Sequence, residues 1–349
     1  MEQTRSAILK SKSRVVILKA FPFQHNLLIF AMPSHQTRRS FLLTGAVAAS
    51  CPLLLASTAT AQSGKSSGFS ERVRYSLNTG TLRGFNLGVE EEIDTAAKAG
   101  YTGVELWIDR LTAFVNNGGK LSDLKKRLDD HGMQVENGMA FFCWASNDEE
   151  KRKAGIEQMK REIAMLREIG CTRIAATAAG TTGERLDDFA TLGQRYREIL
   201  EIGTSMDVIP QLEVWGGSKT LTTLSDAVAV ATAAGHRHAA LLLDAYHLYK
   251  GGSSFEGLRL LNGRALQVFH INDYPADPPR ETIQDRHRVY PGSGVCPLPQ
   301  ILGILDEIGF CGALSFEIFN PEYWKNDTPL SIATKGLEAM RDITRKIGT

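Results

Sequence analysis

The sequence predicts an α/β protein that folds as a single-domain (β/α)8 barrel. Short runs of β-branched and aromatic residues alternate with amphipathic stretches at a spacing near thirty residues, and eight such pairs fit into about 280 residues. Alternating strands and helices indicate right-handed βαβ units around a parallel sheet, and barrels of this kind typically need about 250 residues. The same alternation also allows a doubly wound open sheet, which is the alternative fold.

The predicted strands share a high content of Val, Ile, Leu and aromatic residues between polar segments. They cover 73–77, 103–107, 134–142, 173–178, 208–214, 239–244, 266–271 and 313–318. The predicted helices cover 89–99, 120–131, 148–169, 185–205, 222–235, 254–262, 297–309 and 328–347. Several of these helical patterns stop at a glycine that suits a left-handed C-terminal cap, namely Gly100, Gly132, Gly170, Gly235 and Gly309.

Residues 1–61 have the pattern of an export signal of the twin-arginine type. Arg38 and Arg39 precede a modestly apolar run, and Ala59-Thr60-Ala61 then supplies a small-x-small cleavage site. Met32 as the true start would place the arginine pair near an N-terminus of ordinary length. A membrane anchor is the alternative, but the run is interrupted by Thr, Ser, Gly and Pro, and a spanning helix needs about 20 mostly apolar residues.

We therefore expect an exported, periplasmic protein that meets the membrane only during export. The expected organisation is a signal over 1–61, a linker over 62–71 and a catalytic barrel domain over 72–349. The chain has 40 Lys and Arg against 39 Asp and Glu, but seven of the basic residues and one acid lie in the signal. The remainder is net acidic and has no basic stripe interleaved with aromatic residues, so a nucleic-acid partner is not expected.

Four cysteines follow the signal, at widely separated positions and without a C-x-x-C pair. They are Cys143, Cys171, Cys296 and Cys311. This spacing does not support a metal-thiolate cluster, and it leaves open whether any of the four form disulfides.

Charged side chains stand where four consecutive predicted strands end, and this pattern predicts a metal site. The residues are Glu213, Asp244, His270 and Glu317. In a parallel barrel these strand ends meet at the active-site face, where buried charges need partners or a metal. Three carboxylates and one imidazole form an oxygen-rich ligand set that suits one Mn²⁺, Mg²⁺ or Co²⁺ ion, with Zn²⁺ as a further candidate. Taken singly, Asp244 can be a helix cap and His270 a core histidine.

Short motifs in a fixed order carry a family resemblance. They are Gly103-Val104-Glu105-Leu106-Trp107, Leu212-Glu213-Val214, Leu242-Leu243-Asp244-Ala245-Tyr246-His247, Phe269-His270-Ile271-Asn272-Asp273, the stretch from Asp285 to Gly294, and Leu314-Ser315-Phe316-Glu317. In this order they resemble the xylose isomerase-like TIM barrel family of sugar isomerases, epimerases and inosose dehydratases, over roughly residues 72–347. The resemblance implies that Glu213, Asp244, His270 and Glu317 hold a divalent metal.

The resemblance also implies roles for individual side chains. Glu213 and Glu317 would move the proton, while His247 and Arg288 would hold substrate oxygens; Arg286 is the neighbouring alternative to Arg288. Glu105 either pairs with a substrate hydroxyl or buttresses the barrel. Three tryptophans either form an apolar wall against a sugar ring or are plain packing; they are Trp107, Trp144 and Trp215.

The expected activity is isomerisation or epimerisation of a small sugar. A metal bound to the carbonyl and hydroxyl oxygens would stabilise the enediolate formed when the neighbouring carbon loses its proton. Export and the absence of a P-loop sequence favour an unphosphorylated sugar or keto-sugar. A dehydratase or lyase acting on a keto-inositol or keto-glycoside is the alternative with the same site. A non-catalytic sugar-binding protein, a metal-independent glycosidase and a multi-zinc nuclease are alternatives from other classes. The sugar, the reacting carbon and the oligomeric state remain open.

Overall fold

The protein folds into a closed eight-stranded parallel barrel. The structure, a computed structural model, describes residues 68–347, so the predicted export signal lies outside the described residues. Each strand pairs with the next along the chain, and the last pairs with the first. The strands are β1 (Arg74–Asn78), β2 (Gly103–Trp107), β3 (Gln134–Met139), β4 (Arg173–Ala176), β5 (Ile209–Glu213), β6 (Leu241–Asp244), β7 (Leu266–Ile271) and β8 (Ala313–Phe316). The predicted (β/α)8 barrel is therefore confirmed, and the doubly wound sheet is excluded.

Helices connect the strands. In the described part of the chain they are α1 (Phe69–Arg72), α2 (Val89–Ala99), α3 (Ile108–Asn116), α4 (Leu121–Asp130), α5 (Glu149–Glu168), α6 (Phe189–Ser205), α7 (Leu224–Ala234), α8 (Ala245–Lys250), α9 (Leu298–Glu307), α10 (Pro321–Asn326) and α11 (Pro329–Thr344). Short 3-10 helices cover Thr79–Phe85, Phe255–Leu260, Gly263–Ala265 and Asp285–His287. Between Gly68 and Ile347, no helix combines the length and apolar character that a membrane crossing requires.

The five glycines predicted as helix caps all adopt the left-handed conformation. Their φ angles lie between 56° and 94°, a region that residues with a Cβ atom rarely occupy. The prediction was wrong for 254–262, which is a 3-10 turn over Phe255–Leu260, because the helix after β6 is α8 and begins directly at the strand end. Helices α1, α3, α8 and α10 were not predicted, since each has only four to nine residues.

A register shift between β2 and β3 places two glutamates of the barrel in different surroundings. Val104 pairs with Val135, but Glu105 pairs with Asn137, so Glu136 is an extra residue in β3. Glu136 forms an ion pair with Arg74, with nitrogen–oxygen distances of 2.6 and 2.8 Å, near the start of the strands. Glu105 instead enters the barrel interior beneath the candidate site. The shift thus places Glu136 in an ion pair near the start of the strands and Glu105 in the barrel interior.

Candidate metal centre and substrate cavity

A cavity of about 780 Å³ opens at the C-terminal ends of the barrel strands. Its size is that of a small-molecule site, and this face is where barrels of this kind carry their active sites. The side chains that line it combine aromatic rings with carboxylates, an imidazole and a guanidinium. They include Trp107, Phe141, Glu213, Trp215, Tyr246, His247, Lys250, Asp285, Arg288, Glu317 and Phe319.

Three of the four predicted metal ligands come together beside this cavity, with Glu317 on its surface and Asp244 and His270 fully buried next to it. Asp244 ends β6, His270 lies one residue before the end of β7 and Glu317 follows β8, so the parallel strands deliver all three to one point. One ligand atom from each lies within 4.8 Å of the others. His270 Nδ1 is 3.4 Å from Glu317 Oε2 and 3.7 Å from Asp244 Oδ2. Glu213 ends β5 and lines the same cavity, but its carboxylate stands outside this three-residue cluster.

Unpaired polar atoms indicate that the cluster suits a divalent cation. His270 Nδ1 and Glu213 Oε2 are both buried and make no hydrogen bond. A buried polar atom without a partner is destabilising, and both atom types are metal ligands. One imidazole nitrogen with carboxylate oxygens matches the donors that Zn²⁺ and Mn²⁺ accept in proteins. The residues present therefore fit a metal ion.

Arg288 spans the cluster from the cavity side. Its Nη1 donates to Glu317 Oε2 at 2.8 Å and to Asp244 Oδ2 at 3.1 Å, and the side chain is fully buried. Its Nη2 lies 3.0 Å from His247 Nε2 and also donates to Asp285. Arg286, the neighbouring alternative, is exposed. Arg288 is therefore the arginine that faces the reacting region.

Glu105 lies behind the cluster and not on the cavity surface. Its carboxylate is 2.9 Å from His270 Nε2 and accepts a hydrogen bond from Asn137 at 2.9 Å and a longer one from Asn78 at 3.4 Å. The side chain is fully buried and does not line the cavity. Of the two roles considered for Glu105, the structure favours support of the barrel interior, and a direct substrate contact does not fit its position.

The aromatic wall contains two of the three predicted tryptophans and two phenylalanines. Phe141 lies between Trp107 and Trp215, with ring centroids 5.3 and 5.6 Å away, and Phe319 packs edge-on against Trp107 at 6.2 Å. Trp144 is not part of this wall. It is fully buried in the core, packs against Tyr196 and donates its indole N–H to the carbonyl of Thr177. The prediction of a sugar contact for Trp144 is thus corrected, because the chain turns inward after β3.

Burial and charge separate the proton affinities of the two glutamates. Burial raises the pKa of Glu213 to about 8, although the positive charge of His270 opposes the shift. Burial alone would also raise the pKa of Glu317, but the charges of His270 and Arg288 outweigh it and lower that pKa to about 2. The two carboxyls of this one cavity therefore have pKa values shifted in opposite directions.

The two histidines of the site also differ. Burial disfavours the imidazolium of His270, yet the charges of Glu105 and Glu317 outweigh burial and raise its pKa well above the ordinary range. A metal ion at Nδ1 would displace that proton. Burial and the neighbouring Arg288 lower the pKa of His247, which favours a neutral ring. Because Nε2 of a neutral His247 accepts from Arg288, Nδ1 carries the hydrogen and can donate a hydrogen bond to a substrate oxygen.

Several residues that shape the site were not predicted from the sequence. Phe141 and Phe319 complete the aromatic wall, and Asp285 pairs with Arg288. Asn137 donates a hydrogen bond to the carboxylate of Glu105. Asn272 donates one to the carboxylate of Asp244. Asn137 had a visible signal, because a polar amide inside a predicted buried strand needs a hydrogen-bond partner. The two phenylalanines had none, since an aromatic residue after a strand is as often ordinary packing.

Sequence comparison relates the chain to proteins named as isomerases and dehydratases. Residues 93–343 match the family model described as xylose isomerase-like TIM barrel. An inosose isomerase of Bacillus velezensis is 27% identical over 255 residues, which cover 71% of this chain and 90% of the relative. A 3-dehydroshikimate dehydratase of Pseudomonas aeruginosa is 24% identical over 264 residues, which cover 73% of this chain and 40% of that protein. The resemblance inferred from the motifs is confirmed.

Solved structures show the same fold. The crystal structure of the IolI protein with a zinc atom superimposes with a TM-score of 0.73 at 23% identity and covers 79% of this chain and 100% of that one. The structure of an L-ribulose 3-epimerase gives a TM-score of 0.63 at 18% identity and covers 78% and 95%. At these identities the likeness establishes the barrel and nothing finer.

Proposed function

The chain belongs to the xylose isomerase-like TIM barrel family, and from this premise we propose that it is a divalent-metal-dependent isomerase or epimerase of an unphosphorylated sugar or keto-sugar. The proposal rests on the buried cluster of Asp244, His270 and Glu317 beside the cavity. In this cluster Nδ1 of His270 lies 3.4 Å from Glu317 Oε2 and makes no hydrogen bond. The zinc atom of the IolI structure supports metal binding in this fold. Its identity here, whether Mn²⁺, Mg²⁺, Co²⁺ or Zn²⁺, is part of the proposal.

The proposed chemistry is transfer of a proton at the carbon next to a carbonyl. Asp244, His270 and Glu317, joined by Glu213, would hold the ion, which when bound supplies a positive charge for the substrate carbonyl and hydroxyl oxygens. Glu213 lines the cavity outside the cluster of Asp244, His270 and Glu317, and its Oε2 makes no hydrogen bond, so it suits the group that delivers a proton. Glu317, whose carboxylate accepts a hydrogen bond from Arg288, suits the group that removes one.

Charge at the cavity supports an unphosphorylated substrate. The cationic side chains among its lining residues are Lys250 and Arg288, and both are engaged. Lys250 Nζ donates to the backbone carbonyls of Arg280 and Glu281, and Arg288 is paired with carboxylates. Four carboxylates also line the cavity, namely Glu213, Glu281, Asp285 and Glu317. A phosphate dianion would find few free donors there and several like charges.

Elimination of water is the second candidate. The dehydroshikimate dehydratase relatives favour it, because loss of a proton next to a carbonyl also permits departure of a hydroxyl group from the next carbon. The same residues would then act on a keto-inositol or keto-glycoside. A sugar-binding protein without turnover is the alternative outside enzymes. The product separates the three outcomes.

The test is incubation of the metal-loaded protein with unphosphorylated sugars, keto-sugars and keto-inositols in D₂O, followed by NMR. We expect deuterium at the carbon next to the carbonyl, because a carboxylate exchanges its proton with solvent before returning it. Glu213→Gln and Glu317→Gln should each lower turnover by about 10² to 10⁴. Because each change also removes a charged ligand, metal content is measured in the same samples. If the protein is active but no deuterium enters the product, the hydrogen moves by an internal hydride shift and the proton-transfer mechanism is wrong. If the protein binds sugars without converting them, it is a sugar-binding protein.

A further inference from the structure

A second cavity adjoins the first across the aromatic wall. Its volume is about 830 Å³, and it shares Trp107, Met139 and Phe141 with the substrate cavity. It lies between α3 and α5, and its other lining residues combine apolar and polar groups. They are Arg83, Ile108, Asp109, Thr112, Ala113, Val115, Asn116, Gln158, Arg161, Glu162 and Met165. Phe141 and Val115 are both more than a third exposed, so apolar surface faces this space.

The shared tryptophan is held in a fixed orientation. Its indole N–H donates to Asn78 Oδ1 at 2.7 Å, and the guanidinium of Arg83 lies 4.1 Å from its ring centroid. Arg83 is itself held by both carboxylate oxygens of Asp109, at 3.0 and 3.3 Å. A Cβ atom on Gly80 would approach the indole to 2.7 Å, so a glycine is needed beside it. The wall is therefore preorganised and presents one tryptophan to both cavities.

Glu162 gives the second cavity an unmatched acceptor. The residue is 6% exposed, and one carboxylate oxygen accepts from Gln158 at 2.8 Å, while Oε2 is buried with no partner. Nε of Arg83 is likewise buried and unpaired, which adds an unmatched donor. A buried polar atom without a hydrogen bond costs roughly 1 to 3 kcal/mol, so a ligand that supplies partners is favoured. Both residues line the cavity, and a ligand whose hydroxyl groups reach these side chains would supply a donor to Glu162 and an acceptor to Arg83.

We propose that this cavity binds the second ring of the substrate, so that the substrate is a glycoside whose reacting sugar still carries the carbonyl group that the proposed proton transfer needs, and not a free monosaccharide. The inference rests on the proposed function, with the reacting ring beside Glu213 and Glu317 and the second ring beyond Trp107 and Phe141. The aromatic faces cover the apolar face of a ring, while Arg83, Gln158 and Glu162 bind its hydroxyls. The combined cavities exceed the volume that one sugar ring fills.

The experiment measures binding and needs no turnover. Saturation-transfer NMR and calorimetry compare D-glucose with cellobiose, maltose and p-nitrophenyl β-D-glucopyranoside. At least one two-ring probe should bind about tenfold more tightly than glucose. Ala113→Trp fills the cavity from the exposed side of α3 and should abolish that advantage while leaving glucose binding unchanged. Ala154→Trp, an exposed position on α5 away from both cavities, is the matched control and should change neither.

Glu162→Leu tests the polar groups, because leucine has a similar volume and lacks the unmatched acceptor. This variant should bind the two-ring probe at least fivefold more weakly. Two-ring probes that bind no better than glucose, including no detectable binding of any probe, would overturn the proposal. So would an advantage that survives Ala113→Trp. Failure of the proposed isomerase or epimerase function gives a different result. In that case the protein binds two-ring probes through this cavity but places no deuterium in any sugar in D₂O, so the subsite stands and the isomerase assignment does not.

Discussion

The carboxylate of Glu105 lies 2.9 Å from Nε2 of His270, and both side chains are fully buried. Because Glu105 accepts the Nε2 proton, Nδ1 is the nitrogen that faces Asp244 and Glu317. A carboxylate behind a metal-binding histidine fixes the ring orientation and increases the basicity of the ligand nitrogen. Glu105 is in turn oriented by Asn137. It would therefore act on the proposed metal centre through His270, and it does not line the cavity.

The first prediction concerns this support. Glu105→Gln keeps the size and an acceptor oxygen but removes the charge, so we expect metal affinity to fall about 10 to 100-fold. Chelator competition on the purified protein measures it. Glu136→Gln is the control, because Glu136 is an equally buried strand glutamate that pairs with Arg74 and lies away from the cluster. It should lower stability and leave metal affinity unchanged. Equal affinity in Glu105→Gln and wild type would refute the role.

The sequence was sufficient for the barrel, because hydrophobic strand patterns and helix capping are local properties of the chain. Hydrophobic runs located all eight strands, and the capping glycines marked helix ends correctly. The errors lie where tertiary contacts decide. α8 begins at Ala245 because the Asp244 carboxylate accepts the backbone N–H of His247, and the later segment is a 3-10 turn. The sequence analysis allowed a helix cap at Asp244, and the structure confirms it, but the short helix that follows was not predicted.

The sequence predicted the site only as far as charged residues stand at the ends of predicted strands. Asp244, His270 and Glu317 converge because parallel strands share one direction, and this is visible in the order of the motifs. The second cavity was not predictable, since it depends on how α3 and α5 pack and on a buried carboxylate in the middle of α5. Trp144 was predicted as a site residue but lies in the core, because the position after a strand does not reveal which way the chain turns.

The second prediction concerns the loop that carries Arg288. The carboxylate of Asp273 accepts four backbone N–H groups, at 2.7 to 3.0 Å, and is fully buried. They belong to Tyr274, Gly292, Gly294 and Cys296. Hydrogen bonds to a buried charge are worth about 1.5 to 3 kcal/mol each. Asp273→Asn replaces one oxygen by a donor, so we expect residues 275–295 to exchange amide hydrogens at least tenfold faster.

Hydrogen exchange read by mass spectrometry measures this change, and the weaker hold on Arg288 should raise the KM for the sugar. Asp277→Asn is the control, because it makes the same substitution at an exposed position of the same loop. Unaltered exchange in the Asp273 variant would mean that the loop is held by its other contacts, such as the antiparallel bridge between Asp273 and Val289.

The third prediction concerns export, which we propose to follow the twin-arginine route. Replacing Arg38 and Arg39 together by Lys keeps the charge but removes the guanidinium pair, and precursor should accumulate in the cytosol. Fractionation and N-terminal sequencing of the mature protein measure delivery and cleavage near Ala61. Arg5→Lys with Arg14→Lys, upstream of Met32, is the matched control and should have no effect. Normal delivery of the double variant at the pair would argue for another route.

The last prediction concerns Glu92, a buried carboxyl on α2 away from the cavity. The residue is 1% exposed, its Oε2 has no hydrogen-bond partner, and its other oxygen is 3.8 Å from Arg110. Burial raises the pKa of Glu92 from 4.5 to about 7, against the opposing charge of Arg110. The folded protein therefore keeps this proton over a range of pH in which the unfolded chain has released it.

The sign of the pH dependence follows from that difference. Below about pH 4.5 the group is protonated in both states; as the pH rises towards 7 the unfolded state is favoured increasingly, and the loss is complete above 7. The shift corresponds to roughly 3 kcal/mol at about 1.4 kcal/mol per pKa unit. Glu92→Gln is neutral throughout, so its stability relative to wild type should increase by about that amount between pH 4.5 and pH 8. Urea denaturation at both pH values isolates the effect, because all other groups titrate equally in the two proteins. A constant difference would show that Glu92 is already ionised in the folded state, with Arg110 compensating for its burial.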